Sequence, residues 1–69
     1  MNALEQFRVD RRLSFNKLGE MVGKNRGHVW RHCKDAQGID AASAIHYERT
    51  IGIPRAALRP DLFGQTSYT

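Results

Sequence analysis

Ser14-Phe15-Asn16-Lys17-Leu18-Gly19-Glu20-Met21-Val22-Gly23-Lys24-Asn25-Arg26-Gly27-His28-Val29-Trp30-Arg31-His32-Cys33-Lys34 is the stretch on which the fold turns. Ser14 is a good N-cap, and Phe15, Leu18 and Val22 recur at i, i+3 and i+7 with Met21 beside them, which predicts a helix of two turns. Gly23 follows the last apolar position, where a chain leaving a helix takes a left-handed conformation that suits a residue without Cβ. Asn25 is the next N-cap and opens a helix across RGHVWRHCKD, with Gly38 as its end. At 100° per residue, Val29, Cys33 and Ala36 share the core side with His32 at its edge. Gly27, Arg31 and Lys34 lie roughly opposite, flanked by Arg26 and Trp30.

Two short helices that cross steeply through a tight turn need a small residue inside the first, a glycine at the corner and a branched apolar residue facing back from the second. Gly19, Gly23 and Val29 stand at that spacing. Gly19 costs its helix roughly 0.5–1 kcal/mol relative to alanine, a loss that makes sense where close helix packing needs the gap. The pattern is that of a helix-turn-helix.

Outward from it, Leu4, Phe7 and Leu13 predict a first helix over about residues 2–11. Asp40 caps a helix AASAIHYERTI closed by Gly52, with Ala41, Ala44, Ile45, Glu48 and Ile51 at helical intervals. Pro54 suits the first position of a short fifth helix that Pro60 stops. Leu62 and Phe63 are expected to return over the core, Arg59 and Asp61 to form a local exposed pair, and Glu48 to accept from a backbone N–H, from an arginine or from water. The expectation is an all-α, compact bundle of about five short helices in one domain, residues 1–63, followed by a flexible tail, 64–69.

Sixty-nine residues leave little room for a buried catalytic cavity. Ser, His and acidic residues are scattered and no glycine-rich phosphate loop is present, so an enzyme is not expected and no catalytic residue is assigned. The net charge is +4, but residues 8–34 alone carry eight basic and two acidic side chains, so that segment holds +6 and the remainder about −2. Charge of this sign, concentrated on one segment, favours a polyanion. Cys33 is the single cysteine, which fits a reducing compartment. MNALEQFRVDRR has no apolar core of a signal peptide and no run approaches a membrane span, so a cytoplasmic protein is expected.

Double-stranded DNA is the expected partner. Arg26 and Arg31 are candidates for reading base edges, because a guanidinium matches guanine O6 and N7. Gly27 would let the helix approach the duplex. Asn16 and Lys17, at a helix N-terminus, are placed for a phosphate, and Arg8, Arg11, Arg12, Lys24 and Lys34 for further backbone contacts. Asn25 either caps its helix or meets adenine or phosphate, the cap being favoured. Trp30 has two readings, a cover for the core's edge or an apolar contact to sugar or a thymine methyl. His28, His32 and Cys33 have nominal metal spacing, but zinc wants four ligands and His46 is on another helix, so no metal or cofactor is expected. Cys33 is read as a small buried apolar residue. RNA is disfavoured for want of an aromatic platform beyond Trp30.

The stretch Ile45-His46-Tyr47-Glu48-Arg49-Thr50-Ile51-Gly52, followed by Leu58-Arg59-Pro60-Asp61-Leu62-Phe63, resembles the C-terminal signature of Cro-like and YdaS-like phage repressors and antitoxin regulators. Taken with the helix-turn-helix, the resemblance covers residues 3–63. It implies a recognition helix from Asn25 to Lys34 with Arg26, Gly27, Trp30 and Arg31 facing bases. The function implied is a sequence-specific transcriptional regulator that occupies operator DNA. Since one helix reads few base pairs, a weak homodimer formed on DNA is expected, with apolar residues of the C-terminal region, Phe63 and Tyr68, at its interface. The alternative is an antitoxin-like module acting mainly through a protein partner. Lys24 stands where an apolar turn residue is usual in that family, and His32 where tryptophan or an aliphatic residue plugs the core.

Overall fold

Capping residues and apolar spacing set the ends of most helices in the computed structural model, which describes residues 2–63. The expected tail, 64–69, and Tyr68 lie outside the described residues. The elements are α1 (Ala3–Asp10), α2 (Phe15–Val22), α3 (Arg26–Lys34), a 3-10 turn (Ala36–Gly38), α4 (Ala41–Ile51), α5 (Arg55–Leu58) and α6 (Pro60–Phe63). The architecture is the expected small all-α bundle, with one helix more than anticipated and no strand among the described residues.

Ser14, Asn25 and Asp40 each accept a backbone N–H three residues on, from Lys17, His28 and Ser43. Each thereby satisfies one orphan donor of α2, α3 or α4. Gly23 and Gly52 close α2 and α4 in the left-handed region, at φ 73° and 79°. α1 ends in a Schellman motif, with Arg12 N–H donating to Val9 O and Leu13 N–H to Arg8 O. Here the left-handed residue is Arg12, at φ 55°.

The core gathers Leu4, Leu18, Val22, Val29, Cys33, Ile39, Ala44, Tyr47, Ile53 and Leu58, with Phe7, Leu13, Phe15 and Phe63 packed against it. Its centre is held by polar side chains as well. Tyr47, fully buried, and His32, 3% exposed, share a 2.6 Å hydrogen bond between the phenol and imidazole Nδ1 that ties α4 to α3. His46 Nε2–H donates to the Val22 carbonyl at 2.6 Å, taking up an orphan acceptor at the end of α2. Asn2 works twice: its oxygen caps α1 at Glu5, and its amide donates to the His32 and Cys33 carbonyls, closing α1 on the end of α3.

Several expectations are corrected. α3 stops at Lys34 rather than at Gly38, because Asp35 is extended and its carboxylate accepts from Gln37 N–H, starting the 3-10 turn. The buried face of α4 is Ser43, Ala44 and Tyr47, while Ala41 is exposed and Ile45 half-buried. Pro54 precedes α5 instead of opening it, and Pro60 both ends α5 and begins α6, where its missing N–H leaves nothing unpaired. Phe63 packs on the core but Leu62 stays half in water.

Arg59 does far more than pair with Asp61 at the surface. Its guanidinium is buried and donates to Ile39 O at 2.6 Å and Gln37 O at 3.2 Å, pinning the 3-10 turn. Asp61 takes the remaining edge in a two-point contact. Glu48 accepts from both Arg55 Nε and the Arg55 backbone N–H, uniting two of the options open to it.

Candidate nucleic-acid interface

Gly19 sets the angle of the interface. A Cβ there would stand 2.5 Å from the Lys24 carbonyl oxygen, so only glycine lets α2 approach the corner this closely. Val29 is fully buried behind α3. Together they fix which side of α3 faces out.

Arg26, Gly27, Trp30, Arg31 and Lys34 are all exposed on α3. Neither arginine is turned inward, and none of the described residues of the C-terminal half lines the groove beside Arg26 and Trp30. Trp30 is 50% exposed and is not among the partly buried hydrophobic residues packed against the core. Asn16 and Lys17 are exposed at the start of α2, Lys17 reaching Glu20 at 3.8 Å in a solvated contact that contributes little.

The outer side of α3 divides into two flanks. On one, Arg26, Gly27 and Trp30 join Ser14, Phe15 and Asn16 around a groove of about 370 Å³. The Lys34 ammonium lies 6.0 Å from the ring centroids of both Phe15 and Trp30, within cation–π range. On the other, Arg31 joins Lys24, His28, His32, Ser43 and His46 around an open hollow of about 640 Å³. Asp40 is also on that wall. Hydrogen bonds from Ser43 hold its carboxyl below the usual range, so it remains an anion that moderates the cations there.

Two of the cations expected at a backbone serve the fold first. Arg8 donates to Glu5 through Nε and one terminal nitrogen and to the Leu13 carbonyl through the other, while its guanidinium stacks 4.1 Å from the Phe15 ring centroid. The hydrogen bonds from Arg8 hold the Glu5 carboxyl below its ordinary value. This arrangement locks α1 to the start of α2, and Arg8 leaves the set of outward-reaching cations. Arg11 is exposed but lies 4.0 Å from the Phe7 ring centroid. Arg12 is exposed and Lys24 half-buried. Asn25 uses its side-chain oxygen as the cap of α3, which leaves its amide N–H groups for any phosphate.

Periodicity did not mark Ser14 and Phe15 as lining a groove with α3, nor His46 as a neighbour of Arg31. Those relations depend on how α2 and α4 cross α3, which no spacing within one helix records. Burial, followed by Glu5 nearby, pushes the Cys33 thiol up to about 12, so it is an inert core group. Among the described residues no three His, Cys, Asp or Glu side chains converge as metal ligands. Among the same residues no helix is long and apolar enough to cross a membrane.

Comparison with protein-family models, curated proteins and solved structures gives no significant match. The site is therefore read from its own chemistry.

Proposed function

We propose that the chain is a sequence-specific regulator of transcription that binds double-stranded DNA with α3 in the major groove, in the cytoplasm, in the manner of the Cro-like repressors its sequence resembles. The observation that carries this reading is the outward face of α3. Arginines, a lysine, a glycine and an indole stand together in solvent there, on a short helix braced from behind by Val29. A major groove admits a helix, and exposed guanidinium groups match guanine edges. The N-terminus of α2, with Asn16 and Lys17, would lie along the phosphates. One helix reads few base pairs, so two subunits on a pseudo-palindrome, with half-sites ~34 Å apart, complete the arrangement.

The test is in vitro selection of bound duplexes followed by fluorescence anisotropy at several salt concentrations. Arg31→Ala is expected to weaken the selected duplex by about 1–3 kcal/mol and relax one base position. Lys17→Ala is expected to weaken all duplexes alike and reduce the salt slope by about 0.9. Unchanged affinity and base preference in Arg31→Ala would remove α3 from the groove. Absence of salt-dependent retention on any duplex would favour a module that works through a protein partner.

A further inference from the structure

The groove between α2 and α3 has a shape that cations do not account for. Two aromatic rings, Phe15 and Trp30, line it together with Gly27, Ser14, Asn16 and Arg26. A Cβ on Gly27 would touch only the Asn25 side-chain oxygen, at 3.5 Å, so the fold has room for alanine there. Gly19 is demanded by backbone packing; Gly27 is not. An unneeded glycine weakens its helix and improves none of the packing around it, whereas a ligand that approaches the bare backbone gives the missing side chain a purpose. The indole of Trp30 beside it is half exposed, with the Lys34 ammonium 6.0 Å from its ring centroid.

The occupant that suits it presents an apolar group on an anionic body, since Arg26 lines the groove and the Lys34 ammonium lies 6.0 Å from both ring centroids. In duplex DNA the apolar group displayed in the major groove is the C5-methyl of thymine. Resting on the DNA-binding reading, we propose that the Phe15–Gly27–Trp30 slot receives a thymine C5-methyl, so that the protein reads a methyl group as well as guanine edges. Trp30 and Phe15 close on the methyl from two sides, and Gly27 sets how deeply the base edge enters. Specificity at that position is then apolar and insensitive to salt, unlike the contribution of the surrounding cations.

The experiment uses the full chain and a duplex obtained by selection. Each thymine is replaced in turn by deoxyuridine, which lacks only the methyl, and binding is read by anisotropy. Loss of the methyl at one position per half-site is expected to weaken wild-type binding roughly fourfold, the effect of burying one such carbon. Trp30→Ala and Gly27→Ala are both expected to bind the thymine duplex more weakly and to lose the preference for thymine over uracil, with helical circular dichroism unchanged. Equal wild-type affinity for thymine and uracil at every position, with salt-dependent binding intact, would overturn the slot and leave DNA binding standing. Retained discrimination in Trp30→Ala would overturn it also. Failure to retain any duplex would remove both readings together.

Discussion

Arg12 sits at φ 55°, where glycine is at ease and other residues are strained by about 1–2 kcal/mol. It is exposed and terminates α1, so nothing in the core asks for its side chain. Gly27 is the opposite case, a glycine where alanine would fit. Both residues run against local backbone preference, the pattern expected where function sets the residue. Gly27→Ala is expected to stabilise the fold by up to about 1 kcal/mol, seen as a higher midpoint in thermal unfolding. Gly19→Ala is expected to do the reverse. Its Cβ meets a backbone carbonyl that cannot swing aside, and overpacking of this kind costs about 1–3 kcal/mol. Equal midpoints for the two variants would contradict the account of the corner.

At the scale of elements, α3 is held to α4 by the hydrogen bond between His32 and Tyr47. Burial, with His28, Lys24 and Arg31 adding repulsion and Asp40 opposing them, holds the His32 imidazole below its ordinary value. An unfolded histidine takes up a proton near pH ~6.5, before the folded one does. The unfolded chain therefore binds more protons in the window below that value, and this contribution to stability falls as pH drops through it. Tyr47→Phe leaves His32 Nδ1 unpaired and is expected to cost about 1–3 kcal/mol in denaturant unfolding at neutral pH. An unchanged midpoint would mean that the pair does not hold α3.

The same pair marks what could be read in advance. Helix starts at Ser14, Asn25 and Asp40 and the two glycine stops were legible, because a cap and its helix are neighbours in sequence. The outward placement of Arg26, Gly27, Arg31 and Lys34 followed from Val29 and the 3.6-residue period. Tyr47 in the core was not legible, because its partner is fifteen residues away on another helix. Arg59 escaped for the same reason: the carbonyls it binds belong to the 3-10 turn some twenty residues earlier. For Arg8 the pair with Glu5 is an i, i+3 contact within α1 and so was open to reading, whereas its stacking on Phe15 depends on how the chain turns into α2.

Across the whole molecule, charge is sorted by pairing as much as by position. In the C-terminal half Arg55 is matched to Glu48 and Arg59 to Asp61. Between residues 11 and 34 the only carboxylate partner within 4 Å among the described residues is Glu20, at 3.8 Å from Lys17. Apart from the exposed Arg49 on α4, the cations without a carboxylate partner among the described residues thus lie from the end of α1 to the end of α3, where Val29 and Gly19 turn α3 outward. The most direct measurement is a titration of isotopically labelled protein with a selected duplex, followed amide by amide by NMR. Shifts concentrated in residues 14–17 and 26–34, with α5 and α6 undisturbed, are the predicted result. Shifts centred on α4 to α6, or none at any residue, would contradict it.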